Sequence, residues 1–137
     1  MVATRWRSTI EAETHRHAAE SYVLAPNAGD FLEQMSLPIS KLARMAIGNG
    51  AERILFFDEG KAIVRAFEGG LLLWVGASNL VIRHALQLLL EGGLFHATSD
   101  ERLVISWYLS VGKPFAVIEG LLFATSRDGA RCNTHLR

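Results

Sequence analysis

The chain alternates apolar and polar side chains over one stretch, RLVISWYLSV at residues 102–111. Five apolar residues fall on one side of it: Leu103, Ile105, Trp107, Leu109 and Val111. A period of two is typical of a β-strand with one buried face, and Val104 alone departs from it. The predicted strand completes an order of helix, three strands, helix and two strands, and this order decides the fold class.

The three middle strands are predicted at residues 53–57, 61–67 and 71–75. The loops DEG at 58–60 and EGG at 68–70 join them, and three-residue loops with glycine are typical of hairpins. A helix at 79–91 follows, and a last strand is predicted at 115–118. The sequence therefore predicts an α+β fold, an antiparallel meander packed with helices in the order α-(α)-β-β-β-α-β-β.

Two helices precede the meander in this prediction. Ser8 and Glu11 fit a capping box, which predicts a helix over about 9–22. The second helix is interrupted at Pro38 and restarts there. Its apolar face would then consist of Ile39, Leu42, Ala43 and Ala46. We expect residues 1–25 to form an N-terminal arm, 26–125 a single α+β domain and 126–137 a flexible tail.

The composition is that of an ordinary globular chain of 137 residues, half of them apolar. Fourteen basic residues balance fourteen acidic ones, so the chain lacks the positive field that gathers nucleic acid. The single cysteine, Cys132, cannot form an internal disulfide, which favours a reducing compartment. No apolar run reaches the ~18 residues of a membrane span. We therefore expect a cytoplasmic bacterial protein with no nucleic-acid or membrane partner.

No group of side chains in the sequence indicates a particular catalytic reaction. His15 and His17 would point to different sides of a helix, and Cys132 lies in the predicted tail. Asp58 and Glu59 are adjacent carboxylates, but a hairpin turn accounts for them. The sequence therefore predicts no catalytic residue, no metal site and no cofactor.

The predicted helix at 79–91 is apolar on nearly all sides, with a narrow polar side of Arg83, Gln87 and Glu91. A small domain rarely surrounds such a helix by itself, so part of it is predicted to lie in a homodimer interface. The strands are also rich in apolar residues. Either the core takes them all, or some form a docking surface for an extended peptide.

The stretch LQLLLEGGLF at residues 86–95 is followed by a predicted strand at 102–108. This part of the sequence resembles the second helix of one chaperone family together with the short loop and strand that follow that helix. This family is the class I, Tir-chaperone-like effector chaperones of bacterial type III secretion, and the similarity in element order covers about residues 30–124. The resemblance implies a homodimer formed through Leu80, Leu86, Leu90 and Trp107. It also implies a partner segment bound on apolar patches that include Leu42, Leu55, Phe57 and Val64.

Three functions follow in order of preference. The first is a non-catalytic chaperone or adaptor that holds a segment of a partner polypeptide, such as a secreted effector, on apolar surfaces. The second is a general dimeric interaction module, such as a roadblock-like scaffold or a toxin-neutralising immunity protein. The third is a small enzyme, for which His84, His96 and several acidic residues would be the candidates.

Overall fold

The computed structural model describes residues 16–98, 103–111 and 113–122. It contains two long helices, α1 (Ala28–Ser40) and α2 (Leu80–Ala97), and a short helix, α3, at 116–122. The strands are β1 (His17–Leu24), β2 (Met45–Gly48), β3 (Glu52–Phe56), β4 (Gly60–Phe67), β5 (Gly70–Ala77) and β6 (Tyr108–Leu109). Among the described residues, no helix combines the length and the apolar character that a membrane crossing needs.

The strands form one antiparallel sheet in the order β2-β3-β4-β5-β1-β6. β3, β4 and β5 follow one another as a meander, which confirms the three strands predicted at 53–57, 61–67 and 71–75. β1 comes first in the chain, yet it lies between β5 and β6. The predicted α+β class with an antiparallel sheet is therefore confirmed.

Both faces of the sheet are covered at its central strands, which explains why these strands show little alternation in sequence. α1 and α2 pack on one side, the helix face, over buried side chains such as Val64, Leu73 and Val75. Residues 113–122, which we call the strap, cover Ile63, Leu72 and Trp74 on the opposite side, the strap face. Every residue of β5 is buried as a result.

The N-terminal helix predicted over about 9–22 is wrong in its described part, because residues 17–24 form β1. β1 pairs with β5 from His17 opposite Ala77 to Leu24 opposite Gly70. Its apolar stripe looks thin in sequence because even the polar residue Glu20 is buried between the two covered faces. The chain from residue 17 onward thus belongs to the sheet rather than to a separate arm. Residues 9–15 and the predicted tail at 126–137 lie outside the described residues.

The interruption predicted at Pro38 does not occur, since α1 runs through this proline to Ser40. Pro38 lies in the last turn, where the missing N–H removes a hydrogen bond only near the end of the helix. Residues 45–48 then form β2, the edge strand beside β3. Ala46 therefore lies in a strand and not on the helical face predicted for it.

α2 continues to Ala97, past the two glycines at 92 and 93 that the sequence predicts as its end. The long strand predicted over 102–111 is reduced in the described part to Tyr108–Leu109. Three residues of its predicted buried face do turn toward the core: Leu103, Ile105 and Trp107. Leu109 and Val111 are exposed instead, because the chain leaves the helix face there and crosses to the strap face.

The last strand predicted at 115–118 is wrong, because residues 116–122 form α3. The carboxylate of Glu20 accepts hydrogen bonds from the backbone N–H groups of Phe115 and Ile118 at the start of this helix. Such a cap satisfies amides that a helix leaves without an internal partner. The apolar residues at 115–118 therefore pack as a capped helical turn rather than as an added strand.

Candidate functional site

An open apolar groove lies between α1 and α2. It has a volume of about 240 Å³ and is lined by Pro38, Ile39, Leu42, Leu88, Leu89, Gly92, Gly93 and His96. Leu42 and Leu88 are 66% and 54% exposed, so the groove presents aliphatic surface to the solvent. We call this feature the interhelical groove. It can bind an apolar side chain, and the imidazole of His96 is the one titratable group in its lining.

Two adjacent glycines in α2 shape the interhelical groove. Gly93 is buried where α2 meets α1, and Ile39 occupies the space that a side chain at this position would need. Gly92 has open space beside its backbone, so it leaves that part of the groove empty. The glycine pair therefore brings the helices together and keeps the surface between them concave.

A line of exposed apolar residues continues from the interhelical groove along α2. Val81, Leu88 and Phe95 are seven residues apart, which is about two helical turns, so they share one side of the helix. They are 76%, 54% and 47% exposed. We call these three residues the outer stripe. Leu88 belongs to both features, so the groove and the outer stripe meet at this residue.

Of the four predicted partner-binding residues, Leu42 lies in the interhelical groove. Leu55 and Val64 are fully buried in the core under the helices, and Phe57 is half-buried against that core. The helices α1 and α2 cover the side of the strands to which Leu55 and Val64 point, so partner binding by these two residues stays a prediction. A partner could reach them only if the helices left the sheet.

Of the four predicted dimer residues, Leu80 is 55% exposed at the start of α2. Leu86 and Leu90 are buried in the core of their own chain and leave no surface for a second copy. Trp107 is half-buried against the same core, and its indole nitrogen is buried without an acceptor among the described residues. The apolar helix thus buries one side against the sheet and exposes the outer stripe on another.

Glu20 forms a polar cluster on the strap face, where its side chain is fully buried. Its carboxylate accepts hydrogen bonds from Ser110 Oγ at 2.6 Å, Phe115 N at 2.9 Å and Ile118 N at 2.5 Å. Ser110 Oγ in turn accepts a hydrogen bond from the indole nitrogen of Trp74 at 3.0 Å. The buried charge is therefore satisfied by three donors, all from the chain beyond β6.

Arg65 holds the outer side of the strap. Its Nε atom is 2.6 Å from Glu52 Oε2, and its NH1 atom is 3.6 Å from Glu119 Oε1. The guanidinium also stacks on the ring of Phe115, with 4.8 Å from Cζ to the ring centroid. Glu119 and Arg65 are partly exposed, so we expect their ion pair to contribute less than the buried bonds of Glu20.

The remaining titratable groups do not converge. Within residues 16–98, 103–111 and 113–122, no group of three or more His, Cys, Asp and Glu side chains could hold a metal ion. His84 and His96 are exposed on α2, and Cys132 lies outside the described residues. The Tyr22 hydroxyl donates to Glu68 O at 2.8 Å. Burial of Tyr22 and, second, the charge of Glu68 raise the pKa of this phenol above its ordinary value of 10.0.

Sequence reasoning missed the outer stripe and the Glu20 cluster for different reasons. The seven-residue spacing of Val81, Leu88 and Phe95 is visible in the sequence and could have indicated a stripe. Glu20 left no local signal, since its hydrogen-bond partners lie 90 to 98 residues away in the chain.

No protein-family model and no curated protein matches this chain. Among solved structures, the fold is similar to the NMR structure of PA4090 from Pseudomonas aeruginosa, with a TM-score of 0.58. The two chains are 13% identical, and the similarity covers 67% of this chain and 95% of that one. At such low identity the likeness shows a shared fold and nothing further.

Proposed function

We propose that this chain is a non-catalytic chaperone or adaptor that holds an apolar segment of another polypeptide in the interhelical groove. The observation that carries the proposal is the exposure of two large aliphatic side chains across the groove, Leu42 in the turn after α1 and Leu88 on α2. Exposed apolar surface that lines a concave site favours association with an apolar partner. Apolar side chains presented by a partner segment are the complement of such a groove.

The size and lining of the groove support a polypeptide over a small molecule. Its volume of about 240 Å³ is below the ~300–1,000 Å³ of common small-molecule sites. Such sites also place several polar groups around the ligand, whereas here His96 stands alone among apolar residues and glycines. One or two apolar side chains of a partner segment fit these dimensions.

The outer stripe favours a second candidate, a dimeric interaction module. If two copies of α2 pack antiparallel with Leu88 at the two-fold axis, Val81 of one copy meets Phe95 of the other. A small residue then faces a large one on both sides, as a self-complementary interface requires. A homodimer through the outer stripe would replace the one first expected through Leu86 and Leu90, which the sheet already covers.

A more specific form of the first candidate is a cytoplasmic effector chaperone of bacterial type III secretion. The leucine-rich stretch at 86–95 and the order of the elements support this form, as does the single cysteine for a reducing compartment. Its partner would be a secreted effector, bound without any cofactor.

Site-specific photocrosslinking tests the first candidate. A benzophenone amino acid replaces Leu42 in the interhelical groove or, as a control, Leu24, which is 77% exposed at the end of β1. We expect the label at position 42 to join one recurring segment of a partner in the native cell. Adding Leu88→Asp on the facing helix should lower that yield at least about tenfold, as expected for a central contact.

The same segment, made as a synthetic peptide, should then bind the purified protein in calorimetry and lose binding to the Leu88→Asp variant. Equal crosslinking from positions 42 and 24, or a yield that Leu88→Asp leaves unchanged, would exclude the groove as the docking site. Light scattering on the wild-type protein and on the Leu88→Asp variant distinguishes the two candidate functions. A dimer that Leu88→Asp converts to a monomer, with no crosslinked partner, would favour the interaction module.

A further inference from the structure

The strap depends on the sheet for its helical form. α3 covers only residues 116–122 and contains Val117, Ile118 and Gly120, which are poor helix formers. An isolated helix of this length is unstable in water. Phe115, directly before it, has a φ of +69°, a left-handed conformation that is unfavourable for a bulky residue. The strap therefore keeps this conformation because other groups hold it in place.

Besides the contacts of Arg65 with Phe115 and Glu119, two kinds of contact hold the strap. Phe115 and Ile118 insert their side chains into the strap face and are 0% and 4% exposed. Glu20 binds the backbone N–H groups of the same two residues. The hydrogen bonds of Glu20 and the inserted side chains thus act at the same two residues of the strap. A single local movement of these residues would therefore break the hydrogen bonds and the apolar contacts together.

Release of the strap would not leave the Glu20 carboxylate in an apolar interior without hydrogen-bond partners. With the strap closed, Glu20 is fully buried and satisfied by three donors. With the strap open, water replaces the two amides, because the strap is what covers Glu20 on that side of the sheet. Two free energies therefore oppose each other. Burial of the two inserted side chains favours the closed state, whereas hydration of the Glu20 carboxylate favours the open state.

We infer that the strap is a detachable closure over a second docking site, and that Glu20 is its latch. The opened site consists of Ile63, Leu72 and Trp74, with Arg65 at its edge. The strap itself shows what fits there: a short helical segment with an aromatic residue followed three positions later by an aliphatic one. A partner segment with this pattern would occupy the site in place of residues 113–122. The site lies across the sheet from the interhelical groove and does not depend on that groove's role.

Hydrogen exchange on the wild-type chain tests whether the strap moves as a separate unit. We expect the amides of Phe115 and Ile118 to be at least about a hundredfold less protected than those of β5, because local opening releases them without unfolding the sheet. Glu20→Gln replaces one acceptor oxygen with a donor and should lower their protection by a further factor of about ten or more.

Glu119→Gln is the matched control for Glu20→Gln, since it removes a partly exposed carboxylate from the strap itself. We expect it to change the protection of the two amides less than about threefold. If Phe115 and Ile118 exchange only together with β5 in the wild-type chain, the strap is a fixed part of the core and the inference is overturned.

A peptide experiment tests the second docking site in the full-length chain. Phe115→Ala combined with Ile118→Ala removes both inserted side chains and should leave the strap open. The capped peptide KPFAVIEGLL, with the sequence of residues 113–122, should bind this variant at least about tenfold more tightly than it binds the wild-type chain. The peptide KPAAVAEGLL should bind neither protein. A variant that keeps the β4–β5 amide protection but binds no peptide would disprove the site, and if the variant does not fold, the exchange experiment on the wild-type chain decides.

Discussion

Gly93 of α2 lies directly against Ile39 of α1. A Cβ atom on this glycine would be 2.6 Å from Ile39 Cδ1 and 3.0 Å from the backbone oxygen of Met35. The helices can approach this closely only because position 93 has no side chain. We expect Gly93→Ala to push them apart and to lower the free energy of unfolding by about 1–3 kcal/mol, measured in urea.

Gly92→Ala is the matched control, one residue earlier in the same helix. A Cβ atom at position 92 meets nothing within 4 Å. Alanine is the better helix former, so we expect this variant to gain about 0.5–1 kcal/mol of stability. If both variants lose stability to the same extent, helix propensity and close packing do not explain the glycine pair.

Leu86 and Leu88 are two residues apart on α2, but they face different surroundings. Leu86 is 5% exposed in the core, whereas Leu88 is 54% exposed in the interhelical groove. We expect Leu86→Asp to prevent stable folding, because it places an unpaired carboxylate among apolar side chains. Leu88→Asp should change the unfolding free energy by less than about 0.5 kcal/mol. Circular dichroism during urea unfolding compares them, and equal losses would mean that Leu88 is also part of the core.

The sheet's centre could be predicted from the sequence because its signals are local. Glycine-containing loops at 58–60 and 68–70 mark the ends of β3, β4 and β5 within a few residues. β1 could not be recognised, because its alternation disappears when both faces of a strand are covered. Glu20 looks like a solvent-facing residue until a segment from the other end of the chain is folded over it.

The candidate site was predicted only in part, for a related reason. α2 is apolar on most sides, so its sequence does not tell which leucines face the sheet and which face the solvent. Leu86 and Leu90 were therefore assigned to an interface although the sheet covers them. Leu42 lies on an exposed surface, but most of the residues that line the groove with it come from α2, which is far away in sequence.

The side chain of Asn79 caps the start of α2. Its Oδ1 atom accepts a hydrogen bond from the backbone N–H of Ile82 at 2.9 Å. Asn79→Ala leaves that amide without its acceptor, so we expect a loss of about 0.5–2 kcal/mol in thermal or urea unfolding. Ser78→Ala is the neighbouring control, since the Ser78 hydroxyl is buried without a hydrogen-bond partner among the described residues. This control should be neutral or slightly stabilising, and a larger loss from it than from Asn79→Ala would contradict the assignment of the cap.

Tyr22 links the stability of the fold to alkaline pH. Its pKa is raised above the ordinary value of 10.0, first by burial and then by the charge of Glu68, so the folded chain keeps this proton when the unfolded chain releases it. Stability from this group is therefore complete below about pH 10 and falls as the pH rises through the folded pKa. We expect the free energy of unfolding of the wild-type chain, measured in urea, to fall between about pH 9 and pH 11. At the lower end of this interval, the free energy of unfolding of Tyr22→Phe should be below that of the wild-type chain, because the variant loses the hydrogen bond to Glu68 O. Its free energy of unfolding should then change less with pH over the interval. An equally steep decline in the variant would assign the alkaline transition to other groups.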